Sequence, residues 1–248
     1  MNAMDLTLCV PMYNESAIIE NTARTLSGVL SRLCPNHELL FVDDGSTDGS
    51  AGLVEALALP RTRVIAYQPN RGKGCAVRTG MLAARGEIAL FLDADLAYGT
   101  EVIGQALELL AARPEAEILI GSRAIHPEGY AGYTFMRKLA SKVYLRLLRM
   151  AGGLPYSDCQ CGLKAFRQSV REPIFSRCVT DGFAFDLEAM LWARELGCTV
   201  CELPVKIVNH RASKVSLFRD SLELLGEFRR IPKRVAAERK AEQDRSRS

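Results

Sequence analysis

The sequence predicts an α/β domain with a mainly parallel sheet and crossover helices, and two observations carry that prediction. Short apolar, β-branched runs alternate with segments whose apolar residues recur at helical spacing, and each dense polar motif stands just after one of those runs. Such alternation builds βαβ units, in which ligands gather beyond the carboxyl ends of the strands. With 248 residues, 48% hydrophobic and 25% charged, the chain can bury one large core. Residues 1–228 are expected to form that domain, and residues 229–248 a basic, disordered C-terminal tail.

The first strand, Leu6–Val10, runs into Pro11-Met12-Tyr13-Asn14-Glu15-Ser16. That stretch lacks the glycines a dinucleotide fold uses to bring pyrophosphate against a helix N-terminus, which argues against a nicotinamide enzyme. A helix is expected over Ala17–Leu33. The second strand, Glu38–Val42, ends in Asp43-Asp44-Gly45-Ser46-Thr47-Asp48-Gly49. There Asp44 can accept hydrogen bonds from a nucleobase or ribose, while Ser46, Thr47 and Asp48 can cap the helix over Ser50–Leu59; capping alone explains the cluster equally well.

The third strand, Arg63–Tyr67, precedes Asn70-Arg71-Gly72-Lys73-Gly74, with two glycines and two cations ahead of a helix over Cys75–Ala84. This is an anion-site pattern, although no GxxxxGK[ST] phosphate loop can be drawn through Lys73. The fourth strand, Ile88–Leu92, is wholly apolar and ends in Asp93-Ala94-Asp95. Carboxylates crowded at a strand end repel unless a cation lies between them, and a hard divalent ion bridging two phosphates suits oxygen ligands. A turn or helix cap is the other reading of Asp-x-Asp. A helix over Glu101–Ala112 and a strand over Glu117–Gly121 complete the alternation.

VPMYNE, DDGSTDGS, NRGKG, DADL and GSR, in this order and spacing, resemble an inverting family-two glycosyltransferase with the Rossmann-like GT-A fold. The later stretches DCQCGLKAF (158–166), DGFAFDLE (181–188) and Ser213-Lys214-Val215 are similar to dolichyl-phosphate β-glucosyltransferase and to polyprenyl-phosphate mannosyl- and glucosyltransferases. The resemblance covers about residues 5–225. It implies that Pro11, Tyr13 and Glu15 line the nucleoside pocket, that Asp44 contacts the base and that Lys73 approaches the diphosphate. By the same resemblance Asp93 and Asp95 serve Mg2+ or Mn2+, with Asp95 the more direct ligand, and Arg123, Arg137 and Ser141 hold the acceptor phosphate. The resemblance also implies that Asp158, Gln160, Asp186 and Glu188 border sugar and acceptor, and that Arg211 and Lys214 lie on a loop closing over donor phosphates or acceptor.

The implied reaction moves a hexose, glucose before mannose, from UDP-glucose or a GDP-mannose type of donor to a polyprenyl phosphate. A soluble transferase acting on a hydroxyl, or a non-catalytic nucleotide-sugar-binding protein, is the alternative. A phosphate monoester is already a dianion at neutral pH and needs cations rather than a base. For a hydroxyl acceptor, Asp186 or Glu188 would be the base.

Relatives of this kind carry an N-terminal anchor or C-terminal membrane spans. This sequence shows neither pattern nor a signal peptide, so a cytoplasmic protein is expected, at most peripheral on the inner face of a membrane. Two segments suit an anionic membrane surface. Residues 137–149 hold five cations and no acid, with apolar residues at helical spacing, and residues 229–248 carry a local charge of +5 within a chain of net +3. A core-packed helix and a solvated terminus explain the same residues as well. Nucleic acid is not expected as a partner, because no aromatics interleave with the charges of residues 229–248 and the rest of the chain is slightly acidic. The eight cysteines are expected to be reduced and mostly buried, with the Cys159/Cys161 pair alternating as on a strand.

Overall fold

The computed structural model describes residues 5–131, 153–209 and 219–246. Its strands are β1 (Leu6–Met12), β2 (His37–Asp43), β3 (Thr62–Ala66), β4 (Ile88–Leu92), β5 (Ile118–Ser122), β6 (Leu163–Arg167) and β7 (Val200–Pro204). The helices are α1 (Ile19–Leu33), α2 (Ser50–Ala56), α3 (Lys73–Ala83), α4 (Glu101–Ala112), α5 (Gln168–Phe175), α6 (Phe185–Glu195) and α7 (Arg219–Ser246).

The strands form one sheet in the order β3-β2-β1-β4-β6-β5-β7. Pairings β1·β2, β1·β4, β2·β3 and β5·β7 are parallel, while β6 runs antiparallel to both neighbours. Every residue of β1, β4 and β5 is buried, because helices cover both sheet faces. Alternate residues therefore feed two cores. Leu6, Leu8, Val10, Leu90 and Leu92 pack with α1 and α4 residues such as Leu26, Leu30, Ile103 and Leu110. Cys9, Leu40, Val42 and Phe91 pack on the other face with α3, α6 and α7 through Val77, Met81, Met190, Trp192 and Ile231. Gly80 lets α3 lie against β1, since a Cβ there would run into the Cys9 sulfur.

The antiparallel strand determines what meets at the working edge. In register, Met12 stands opposite Asp43, and Leu92 opposite Leu163. The carboxyl ends of β1, β2, β4 and β5 thus share one edge of the sheet with the amino end of β6. The segments 13–16, 43–49, 93–96, 123 and 158–162 converge there.

Two expectations are corrected. The 229–248 segment is not a disordered tail, because residues 229–246 are the outer two-thirds of α7, and a domain boundary at 228 would cut that helix. Phe228, Ile231 and Val235, at helical spacing, are buried against the α3–α6 side of the core, and Arg177 pairs with Glu242 at 2.8 Å. A charge count over the segment hides that narrow apolar stripe. Cys159 and Gln160 form a turn ahead of β6 rather than a strand. The eight cysteines are free thiols, seven of them buried. No helix among the described residues is long and apolar enough to cross a membrane. The basic segment 137–149 lies outside the described residues.

If α7 is part of the core, Ile231→Ala should lower the unfolding free energy by about 2–4 kcal/mol, measured by urea denaturation. A solvated tail predicts no change.

Candidate active site

The loop after β1 is stitched to the loop after β2. Asn14 adopts a left-handed backbone (φ 51°), which Asn tolerates better than most residues. Its N–H donates to Ser46 Oγ (2.8 Å), and its side-chain oxygen accepts the Thr47 N–H (2.9 Å). Glu15 N–H donates to Ser50 Oγ and Ser16 N–H to Asp48 Oδ2, each at 2.9 Å. Pro11 is buried, the Tyr13 ring is exposed, and Glu15 lies half-buried beside them.

Asp44 has a different neighbourhood from the one expected. It is buried, and its carboxylate accepts from Tyr67 OH (2.8 Å), Asn70 Nδ2 (2.8 Å), Arg71 N–H (2.9 Å) and Gly72 N–H (2.8 Å). The side chain anchors the 70–72 loop through these four donors. The anion-site pattern in that loop is revised as well. The N–H groups of Gly74 and Cys75 donate to the Asp181 carbonyl at 2.7 and 3.3 Å, which occupies the amides that open α3. Gly72 (φ 114°) is required both by its conformation and by the Asp181 carbonyl 2.5 Å from where a Cβ would stand.

The anchored loop delivers Lys73 to the end of β4, where its ammonium meets Asp93 Oδ1 at 2.6 Å. Burial alone would lower the Lys73 ammonium, but the Asp93, Asp186 and Asp95 carboxylates outweigh it and raise it. Asp95, which accepts the Ala97 N–H at 3.0 Å, is pushed up by burial and by Asp93, and it also feels Glu15. Burial likewise raises Asp186 against the lowering pull of Lys164 and Lys73. Glu15, Lys73, Asp93, Asp95 and Asp186 therefore form one electrostatic cluster.

Lys164, to which the sequence reading gave no role, belongs to the same cluster. It is buried on β6, 2.6 Å from Asp186 Oδ1, donates to the Cys161 carbonyl (2.9 Å) and lies 5.3 Å from the Phe91 ring centroid. A lysine inside an otherwise apolar strand was the available signal. Its ion pair, backed by the bond to the Cys161 carbonyl, holds the Asp186 carboxylate in place.

Arg123 and Asp158 pair with each other. Arg123 donates to Asp158 through Nε (2.6 Å), Nη2 (3.0 Å) and its own N–H (3.2 Å), and the Gln160 N–H adds a fourth bond at 3.1 Å. The guanidinium also lies 5.8 Å from the Tyr130 ring centroid. The fork expected to grip an acceptor phosphate thus spends its bidentate geometry on a fully buried carboxylate. Glu188 is fully buried as well. Its Oε2 accepts the N–H groups of Val179 (3.0 Å) and Thr180 (2.7 Å), while Oε1 is held by Arg234. Arg137, Ser141, Arg211 and Lys214 lie outside the described residues.

The cluster suits a divalent cation. Asp93, Asp95 and Asp186 act on Lys73, Lys164 pairs with Asp186, and Glu15 adds to the field at Asp95, so four acids stand against two lysines. The donors are all oxygen, as Mg2+ or Mn2+ prefers. Gly162 packs so closely on Asp93 that a Cβ would collide with its Oδ2, so the carboxylate is confined. Among the described residues no group of three or more ligating side chains surrounds a common point. Such a site would be completed by substrate phosphates and water, the usual habit of Mg2+.

Burial alone would raise Asp158, but the hydrogen bonds and charge of Arg123 hold it below its ordinary 3.8. A carboxyl depressed in the folded state stabilises fully above its unfolded value and loses that contribution as pH falls through the folded one. Asp158→Asn should therefore cost about 3 kcal/mol at neutral pH, leaving Arg123 uncompensated. The wild-type advantage should shrink below pH 3.8. Denaturant curves at several pH values check both the size and the sign.

Comparison with known proteins agrees with this geometry. The family model described as glycosyl transferase family 2 matches residues 7–175. A dolichyl-phosphate beta-glucosyltransferase of Trichomonas vaginalis is 32% identical over 81% of this chain, and the chain spans 63% of that relative's length. The dolichyl-phosphate beta-glucosyltransferase of Saccharomyces cerevisiae is 28% identical over 88% of this chain and 71% of its own length. The structure of glucosyl-3-phosphoglycerate synthase from Mycobacterium tuberculosis, in complex with Mn2+, UDP and phosphoglyceric acid, superposes with a TM-score of 0.67 at 20% identity. The match covers 95% of this chain and 78% of that one, a likeness of fold. The strand order, the converging loops and the family match together place the chain in glycosyl transferase family 2, with the GT-A fold.

Proposed function

We propose that this chain is a metal-dependent, inverting glycosyltransferase that moves a hexose from a nucleotide sugar to a polyprenyl phosphate. Glucose from UDP-glucose is the first choice of donor, and mannose from GDP-mannose the second. The observation that carries this reading is the cluster of Glu15, Lys73, Asp93, Asp95 and Asp186 at one sheet edge, with its excess of negative charge. The dolichyl-phosphate relatives support the acceptor class, and the Mn2+ and UDP bound by the mycobacterial neighbour support the donor and ion.

Asp93 and Asp95 would hold Mg2+ or Mn2+, whose charge stabilises the diphosphate as it departs. Lys73, already 2.6 Å from Asp93, is placed to add a proton-rich cation beside the same diphosphate. Tyr13, whose ring is exposed, would border the nucleoside together with Pro11 and Glu15. Asp186, fixed by Lys164, and Gln160, in the turn beside Asp93, border the sugar. A phosphate dianion attacks without losing a proton, so neither Asp186, already ion-paired, nor Glu188, with both oxygens engaged, has to act as a base.

The acceptor lies in a bilayer, and the outer face of α7 offers a way to approach one. Arg229, Lys233 and Lys240 are exposed along one side of the helix, with Arg230 beside them, while Phe228, Ile231 and Val235 face the core. This ordered stripe can rest on an anionic surface, each cation contributing about 1 kcal/mol.

Asp95→Asn should lower kcat/KM on the order of 100-fold with an unchanged far-ultraviolet spectrum, and excess chelator should stop the wild type. Turnover in chelator would overturn the metal assignment. In an acceptor panel of polyprenyl phosphate, the matching polyprenol and phosphoglyceric acid, only the first should be glycosylated. Preference for either of the others would replace the lipid-phosphate reading with a hydroxyl acceptor. Reversing Arg229, Lys233 and Lys240 to Glu should abolish salt-sensitive co-sedimentation with phosphatidylserine vesicles while sparing donor binding. Co-sedimentation that survives the reversal would discard the membrane role of α7.

A further inference from the structure

The C-terminal helix is connected to the donor side of the site through buried polar groups rather than through apolar contact alone. Arg234 on α7 reaches inward to Glu188 Oε1 and donates to Thr180 Oγ1 at 3.0 Å. Glu188 is fully buried and uses Oε2 to fix the N–H groups of Val179 and Thr180. The next carbonyl, that of Asp181, accepts the N–H groups of Gly74 and Cys75. The Asp181 carboxylate meanwhile takes Arg78 at 2.5 Å and Arg71 at 3.4 Å.

Residues 179–182 are thus a wedge between α7 and the first turn of α3, with no slack on the α3 side. A Cβ on Gly74 would stand 2.5 Å from the Thr180 carbonyl, and one on Gly72 equally near the Asp181 carbonyl. Lys73, between those two glycines, carries the ammonium that meets Asp93. Displacement of the wedge therefore moves Lys73.

We infer that Arg234 and Glu188 are positioning residues for the donor site: α7, through this pair and the 179–182 segment, sets where Lys73 stands relative to Asp93. Among the described residues Arg234 is the one cation paired with the buried Glu188 carboxylate, and removing it would leave an uncompensated charge in the core. Loss of Arg234 would leave Glu188 without its partner, and the wedge that Glu188 fixes would move with it. The inference rests on the reading of Asp93 and Lys73 as the donor end of the site.

The test uses the full chain with Arg234→Met, Arg234→Lys and the charge-neutral double variant Glu188→Gln/Arg234→Met, which avoids an orphaned charge. Two readouts are taken: amide hydrogen exchange at Gly74 and Cys75, and affinity for UDP with Mn2+ by calorimetry. In Arg234→Met both amides should exchange about tenfold faster or more, and UDP–Mn2+ affinity should fall about tenfold, with Arg234→Lys recovering most of each. The double variant should fold and show the same two losses. Unchanged exchange at Gly74 and Cys75 in either folded variant overturns the inference. So does faster exchange with wild-type UDP affinity, or a lysine variant no better than methionine. If the wild type binds no UDP, the donor reading fails and the link from α7 to Lys73 is still decided by the exchange data.

Discussion

Like charges crowded at the end of a parallel sheet are the constraint on which the rest of this molecule depends. Glu15, Asp93, Asp95 and Asp186 are drawn together by the convergence of strand ends, partly out of water, where their mutual repulsion is strong. Lys73 and Lys164 offset part of that charge, each through a 2.6 Å contact with one carboxylate. The remaining excess favours a divalent cation and, beyond it, the phosphates of a ligand. On the proposed reading, the cation and the diphosphate of the donor complete the cluster.

The fold supplies the means to hold such a cluster. Parallel strands β1, β2 and β4 place three acidic loops side by side, and the antiparallel β6 enters the same edge from the opposite direction. That reversal brings Gly162 against Asp93 and Lys164 against Asp186. Asp44, Asp158 and Glu188, expected from the sequence to border base, sugar or acceptor, also fasten the scaffold: each is buried and each spends oxygens on nearby donors. Division of labour among acids, some fixed by hydrogen bonds and some left underneutralised, separates scaffold from site here.

The fold and the central carboxylates were legible in the sequence because both follow from local pattern. An apolar run such as Ile88–Leu92 identifies a strand buried on both faces, and an acid pair at its end lies by topology where ligands collect. Less legible was anything decided by a partner far along the chain. Asp44 reads as a base contact, but not as the anchor of Asn70, Arg71 and Gly72, which fold back on it from 26 to 28 residues away. Glu188 reads as catalytic until Arg234, 46 residues on, is found against it. The tail misled for a related reason. Its many charges face water, and only the spacing of Phe228, Ile231 and Val235 reveals that the helix has an inner side.

The central claim is that the strand-end carboxylates form a divalent-cation site completed by a nucleoside diphosphate. Its most direct measurement is a titration of Mn2+ into the protein, followed by electron paramagnetic resonance, with and without UDP. The account predicts weak uptake by the protein alone and tight uptake of one ion per chain once UDP is present, since phosphate oxygens supply the missing ligands. Mn2+ uptake that ignores UDP, or UDP binding that is as strong in chelator as in Mn2+, would contradict it.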